Sequence, residues 1–294
     1  MSSTDTRSGP SSQPLAAGTR PGAVHLTITD LDRSVGFYQD AIGLRVHGRE
    51  DGTAAMGAGG EDLVVMAEEP GARPAVGHAG LYHFALLHPS REQLADAALR
   101  LAATRTPIEG ASDHGVSEAL YLADPDGNGI ELYADRPRER WPSTDGGERI
   151  RMFTEPLDVQ GLLAAARGTE AAPHADPGLV LGHVHLHVGD LEAAVRFYRD
   201  VVGFEVMASI PGAAFVSAGG YHHHLGLNIW RGEGVPPAPT DAVGLRHWTL
   251  RLTDRAELER ARARADAAGA ERAEIGQGLV LRDPSGNAVL LTAP

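Results

Sequence analysis

The sequence predicts an α+β protein built from four βαβββ modules in two tandem domains. Three observations predict it. First, the segment from Asp30-Leu31-Asp32-Arg33 to Gly43-Leu44 aligns without a gap on the segment from Asp190-Leu191-Glu192-Ala193 to Gly203-Phe204. Both carry Phe-Tyr-x-Asp, as Phe37, Tyr38 and Asp40 and as Phe197, Tyr198 and Asp200. Second, Gly80-Leu81-Tyr82-His83-Phe84 matches Gly244-Leu245-Arg246-His247-Trp248. Third, each of those is followed by Asp-Pro-x-Gly-Asn, at 124–128 and 283–287. Repeats this long imply duplication of a whole domain, not a stack of short units.

The elements follow in order. Residues 24–29 and 183–188 alternate as strands. Asp30 and Asp190 are placed to cap helices that run to Gly43 and Gly203, where glycine closes a helix in the left-handed conformation. Leu31, Val35, Tyr38 and Ile42 make one apolar face. Gly59-Gly60 and Gly219-Gly220 turn the short strands that follow, and the strand after the second turn is expected to hold Tyr221 to His224. The pattern then repeats as strand 82–87, helix 91–104 and strands 119–122 and 129–133. Its counterparts are 247–252, 255–269, 278–281 and 288–291. The modules thus begin near Val24, Leu81, Leu181 and Leu245. The domains are expected at 21–136 and 179–294, joined by a linker at 137–178. That linker is read as holding a short strand at 149–154 and an amphipathic helix at 157–167 that braces the domains. Residues 1–20, rich in Ser, Thr, Gly and Pro, read as a disordered tail.

Composition narrows the chemistry. There is no cysteine among the 294 residues, which excludes disulfides, thiolate metal sites and cysteine nucleophiles. A formal net charge of −13 repels phosphate backbones, so nucleic acid is not an expected partner. No apolar run approaches the roughly 20 residues that span a bilayer, and the first residues lack the apolar core of a signal peptide. The cytoplasm is the expected compartment. The 14 histidines are the residues to follow, because histidine is the commonest metal ligand.

The pattern of a strand, Asp-Leu, Phe-Tyr-x-Asp, Gly-Phe or Gly-Leu, and then Asp-Pro-x-Gly-Asn with Glu131 just beyond, resembles the vicinal oxygen chelate superfamily. That group includes glyoxalase I, the bleomycin- and fosfomycin-resistance proteins and the extradiol ring-cleaving dioxygenases. The resemblance runs from Val24 to Leu291. The stretches around His83, around Glu118 and Tyr121, and across Tyr221 to His224 look most like its two-domain catechol-2,3-dioxygenase-like subgroup. It implies cupped mixed sheets made by paired modules, with a metal held on their first and last strands.

Each module can be tested for ligands at those strands. Module one offers Ala23 and Val64, which cannot ligate. Module two offers His83 and Glu131, and module three His183 and His224. Module four offers His247 and Leu290, the latter standing where Glu131 stands after its turn. Pairing modules within a domain leaves two damaged cups. Pairing module two with module three collects His83, Glu131, His183 and His224 in one cup and leaves His247 alone in the other. The crossed pairing is the expectation, since one complete site and one empty site is the simpler arrangement. His224 is preferred over His222 by register, with His222 as the fallback. His25, His185 and His247 read first as ordinary strand histidines, His185 and His187 are the candidates to orient ligands or substrate, and His185 and His247 stay beside His222 as fallbacks.

Two His and one carboxylate with open positions suit Fe(II) oxygen chemistry. The resemblance implies an extradiol dioxygenase acting on a catechol-type diol, with one divalent metal, Fe(II) first and Mn(II), Ni(II) or Zn(II) as alternatives. His114, oriented by Asp113, is the candidate acid–base group, and Tyr133 the candidate donor to a substrate oxygen. The extradiol enzymes of this resemblance place both His and the Glu in the C-terminal domain, where this chain has Leu290. Four ligands would instead suit a glyoxalase I-like isomerase or thiol transferase, unless His224 is itself the acid–base group. A third reading is a non-enzymatic protein that sequesters an aromatic antibiotic. The 5% aromatic content argues against such a stacking pocket. A small molecule is the expected partner in every case, without membrane, and a homo-oligomer is compatible with each.

Overall fold

The computed structural model describes residues 13–144, 149–168 and 170–294. Sixteen principal strands fall four to a module. Module one has β1 (Arg20–Ile28), β2 (Arg45–Glu50), β3 (Thr53–Gly57) and β4 (Asp62–Glu68). Module two has β5 (Gly80–His88), β6 (Gly110–Asp113), β7 (Ser117–Ala123) and β8 (Gly129–Asp135). Module three has β9 (Val180–His187), β10 (Glu205–Ile210), β11 (Ala213–Ser217) and β12 (Leu225–Asn228). Module four has β13 (Ala242–Arg251), β14 (Arg272–Ile275), β15 (Gly278–Arg282) and β16 (Ala288–Thr292). The helices are α1 (Leu31–Phe37), α2 (Arg91–Ala103), α3 (Val159–Ala164), α4 (Leu191–Arg196) and α5 (Arg255–Ala268).

The modules pair crosswise. One sheet runs β14-β15-β16-β13-β1-β4-β3-β2 and so joins modules four and one. The other runs β6-β7-β8-β5-β9-β12-β11-β10 and joins modules two and three, with Glu155–Pro156 added beside β6. At the centre of each sheet the first strands of two modules lie antiparallel, β1 with β13 and β5 with β9. Each first strand lies parallel to the last strand of its own module, as a crossover helix requires. One apolar core fills the space between the sheets, with Phe84, Leu132 and Val184 from one and Trp248, Leu250 and Val289 from the other.

Local chemistry explains the turns. Asp30 accepts the Arg33 N–H and Asp190 the Ala193 N–H, both at 2.9 Å, so α1 and α4 start where expected. Neither continues as an α-helix to its glycine. Each widens into a π turn, at Tyr38–Ile42 and Phe197–Val202, before Gly43 (φ 84°) and Gly203 (φ 107°) close it. The tyrosine at each widening is fully buried and bonded to the other sheet: Tyr38 donates to Asp124 at 3.0 Å, and Tyr198 to Asp283 at 3.2 Å. Those aspartates are the first residues of the Asp-Pro-x-Gly-Asn turns. Asp124 also accepts from the backbone of Asp126 and Asn128 and from the Asn128 amide, all at 2.9 Å. The turns therefore fold the hairpin and fasten one sheet to the other.

Two expectations need correction. Of the segment read as a disordered tail, residues 1–12 lie outside the described residues, but 13–20 are docked. Leu15 is buried with its N–H on Gly203 O at 2.9 Å, Ala16 N–H reaches Glu257 at 2.7 Å, and β1 begins at Arg20. A single apolar anchor in a polar segment gave no periodic signal. Second, the strand expected to hold Tyr221 to His224 starts only at Leu225. Gly219 and Gly220 (φ 63° and 69°) are followed by an irregular turn, in which His222 bonds Asp135 at 2.9 Å. In the linker, α3 is shorter than expected and lies on α2, where Arg91 donates to Gly161 O at 2.9 Å. No helix among the described residues is long and apolar enough to cross a membrane.

His88 ends β5 inside this core, 3% exposed, with neither ring nitrogen bonded. Burial pushes its pKa down to about 3, with Arg100 adding to the effect. The unfolded chain therefore takes up a proton near pH 6.5 that the folded chain refuses until about pH 3. Stability from this group is complete above pH 6.5 and is lost as pH falls through that window. His88→Leu is expected to remove up to about 2 kcal/mol of the loss between pH 7.5 and pH 5, measured as urea midpoints at both values. Equal acid sensitivity in the variant would refute this.

Candidate metal centre

Strand alternation divides the second sheet into two faces. Phe84 and Leu86 of β5, Ile130 and Leu132 of β8, and Val184 and Leu186 of β9 enter the core. His83 and Ala85, Glu131 and Tyr133, and His183 and His185 turn to the opposite, concave face. In the register, Ala85 has Glu131 beside it on one neighbouring strand and His183 on the other. Its methyl group leaves the space in which the longer side chains meet. His83 lies two residues earlier on the same face, opposite His185. Between the His83–His185 and Leu81–Leu186 pairs β5 carries an extra residue, Tyr82, which the bulge turns toward the cavity mouth at 40% exposure.

His83, Glu131 and His183 form a cluster whose ligand atoms all lie within 4.8 Å of one another. His83 Nε2 and His183 Nε2 are each 3.0 Å from the same Glu131 oxygen, Oε2. All three residues are buried. Burial drives the His183 pKa down to about 4, with Glu131 pulling the other way, so the imidazole is neutral and ligand-competent near neutrality. Burial alone would raise Glu131, but His183 and His83 hold it well below the ordinary carboxylate range.

The residues fit a metal. His83 Nε2 is aimed at the carboxylate yet makes no well-formed hydrogen bond, and it is buried. His185 Nε2, on the same face, is equally unpartnered. Two imidazoles and a carboxylate converging on one volume, at the base of a cavity of about 530 Å³, are the donor set of a divalent first-row metal. A buried carboxylate needs such a partner.

The structure does not bring His224 to this cluster. Its Nδ1 is held by Ser217 Oγ at 3.0 Å and the Ala218 N–H at 3.2 Å. Strand alternation does not govern His224, because the strand begins only at Leu225. Its neighbour His223 lines the cavity instead, with its ring 4.0 Å from that of His183. The fallback His222 is taken by Asp135 Oδ1 at 2.9 Å. His247 is on the other sheet, stacked on His25. Val64 faces the core, and its neighbour Val65 is the residue beside His25.

Tyr133 is fully buried with its hydroxyl on Tyr221 at 2.8 Å, so it is not free to meet a substrate. It packs into the space left by Gly182, where a Cβ would lie 1.9 Å from its oxygen. His114 does reach the cavity. Asp113 does not orient it, being paired with Arg136 at 2.8 Å. The Phe153 carbonyl, 2.9 Å from Nδ1, does. A carbonyl only accepts, so Nδ1 carries the proton and Nε2 accepts from the Tyr121 hydroxyl at 2.7 Å. Tyr121 lies directly across the hairpin from Glu131. Burial first, and then the Glu131 charge, keep its phenol protonated. The sequence held a signal for Tyr121, since folding the hairpin about Asp124–Asn128 pairs it with Glu131. It held none for Tyr82 or His223, which depend on a bulge and an irregular turn.

Comparison with known proteins agrees with this geometry. The family model described as Glyoxalase/Bleomycin resistance protein/Dioxygenase superfamily matches residues 20–132 and 180–291. A protein of Bacillus subtilis (strain 168) named "Catechol-2,3-dioxygenase" is 44% identical over 277 residues, covering 92% of this chain and 96% of its own. Among solved structures, a glyoxalase I mutant from Zea mays superposes with a TM-score of 0.60 at 18% identity over 94% of each chain. The cppA protein of Streptococcus pneumoniae TIGR4 does so with 0.57 at 12% identity, over 96% of this chain and 99% of its own. The duplicated modules, the crossed sheets and the two matched segments are one finding: the chain belongs to the glyoxalase/bleomycin resistance protein/dioxygenase superfamily.

Proposed function

We propose that this catechol dioxygenase-like oxidoreductase cleaves the ring of a catechol-type diol beside its hydroxyl groups, inserting both atoms of O2. The observation that carries the reading is the ligand count. His83, His183 and Glu131 converge, and among the described residues no fourth imidazole or carboxylate joins them within the cluster. Three protein ligands leave room for a chelating diol and O2, whereas a fourth would crowd them. The 44% identical relative named for this activity supports it.

We assign His83, His183 and Glu131 as the ligands of one divalent metal, with Fe(II) the assignment that suits O2 chemistry. When bound, the metal supplies Lewis acidity and the site where neighbouring substrate oxygens and O2 are brought together. The protein does the rest. Tyr121 places its phenol beside Glu131 and hands its hydrogen bond to His114 Nε2, which is thus set to take a proton from the substrate side. His185 presents an unpartnered Nε2 to the same volume. Phe215, Trp230, Ile210 and Phe153 wall the cavity and exclude water from a bound aromatic ring. The small molecule is therefore the partner this site recognises.

Two outcomes are expected. Wild-type protein purified without oxygen carries about one Fe per chain by elemental analysis, and both Glu131→Ala and His183→Ala lose it, while His224→Ala keeps it. Metal retained in Glu131→Ala, or none in the wild type, would overturn the site. Separately, His114→Ala and Tyr121→Phe keep the metal and lower the rate of catechol-dependent oxygen uptake by about 10²–10⁴-fold, the range of a positioned acid–base group. An unchanged rate in both would remove them from the chemistry.

A further inference from the structure

The first sheet has a concave face of its own, and it is not a worn copy of the metal centre. β1 and β13 bring His25 and His247 opposite each other, and their rings stack with centroids 4.0 Å apart and planes 19° apart. Leu290 takes the place of Glu131, next to Thr249 in the register. Val280, across the hairpin from Leu290, takes the place of Tyr121. These changes remove the carboxylate and its phenol partner from the floor.

Cations replace them. The bulge that turns Tyr82 into the other cup has its counterpart here, where the register slips between His25↔His247 and Leu26↔Leu245 and turns out Arg246. Arg282 ends β15 and Arg231 enters from a loop, and with Arg246 they line one cavity of about 630 Å³. The His247 pKa falls to about 4, through burial first, then His25, and then the positive charges of Arg246 and Arg282. Arg231 donates to His78 O at 3.1 Å, and Arg282 donates through Nη1 to Gly286 O at 3.1 Å and pairs through Nε with the exposed Glu271 at 3.3 Å. Arg246 takes no ion pair or hydrogen bond among the described residues. Of the carboxylates at this cavity, Asp126 is tied to Thr29 at 2.6 Å and Arg33 at 2.7 Å, and Glu69 and Asp241 are exposed on the rim.

We infer that this cup is a second, metal-free binding site for a small organic carboxylate. The carboxylate is held by Arg246, whose unpaired planar group matches it in a fork, and Arg282 adds its positive charge at the same cavity. The apolar part of the ligand rests on Leu245, Val280 and Ala288. The volume exceeds what an inorganic oxyanion fills and falls within the range of small-molecule pockets.

The test uses the full chain loaded with Zn(II), which is diamagnetic, and labelled with ¹⁵N-histidine. The His25 and His247 side-chain resonances are assigned with His25→Gln and His247→Gln. Benzoate and, in a separate titration, inorganic phosphate are the probes. A saturable benzoate shift of both imidazoles is expected, weakened at least tenfold in Arg246→Gln/Arg282→Gln with metal content unchanged. Should that double variant fail to fold, Arg246→Gln, at an exposed side chain, carries the same comparison. Saturation by phosphate alone overturns the carboxylate assignment. No saturable shift by either probe below about 10 mM, or an unchanged benzoate affinity in the folded variant, overturns the site.

Discussion

The antiparallel pairing of β5 with β9 is the constraint on which the metal centre depends. It sets His83 against His185 and His183 against Ala85, and the parallel strand β8 then delivers Glu131 to the other side of Ala85. A shift of one residue would turn every one of these side chains into the apolar core. Strand register in turn rests on what holds the sheets together. The buried Tyr38–Asp124 and Tyr198–Asp283 bonds each join a helix end on one sheet to a hairpin turn on the other. Each aspartate also caps its own turn, so the geometry of the hairpin and the approach of the sheets are set by the same carboxyl groups.

The same burial that makes the core also prepares the site. Burial keeps His183 and His185 neutral, and neutral imidazole is the form that ligates. The carboxylate stays ionised because two imidazoles lie at one of its oxygens. His224 is excluded by its own hydrogen bonds to Ser217 and Ala218. That small local arrangement separates a three-ligand centre from a four-ligand one.

Much of this was legible in the sequence, for physical reasons. The repeats exposed the modules, alternation exposed which residues share a face, and capping aspartates and closing glycines marked the helices. Pairing module two with module three followed from asking which arrangement collects enough ligands, and the sheet order has that pairing. His83, Glu131 and His183 were readable because regular strands carry them. His223, Tyr82 and the docking of Leu15 were not, because each depends on an irregular turn, a bulge or a contact distant in sequence. The phenol of Tyr121 is legible by the same physics, because the hairpin about Asp124–Asn128 sets it opposite Glu131.

Crossed pairing also governs how the chain can be made. The N-terminal strand β1 finds its neighbour β13 only across nearly the whole chain, Arg20 opposite Arg251 and Thr27 opposite Gly244. During synthesis, module one presents an open strand edge until the last module has emerged. Meanwhile modules two and three, adjacent along the chain, can close their sheet first. Assembly from the inside outward means the sheet with the His83–Glu131–His183 cluster is complete while the other still awaits its partner. The sheet of modules one and four is thus the last to become protected from pairing with other chains.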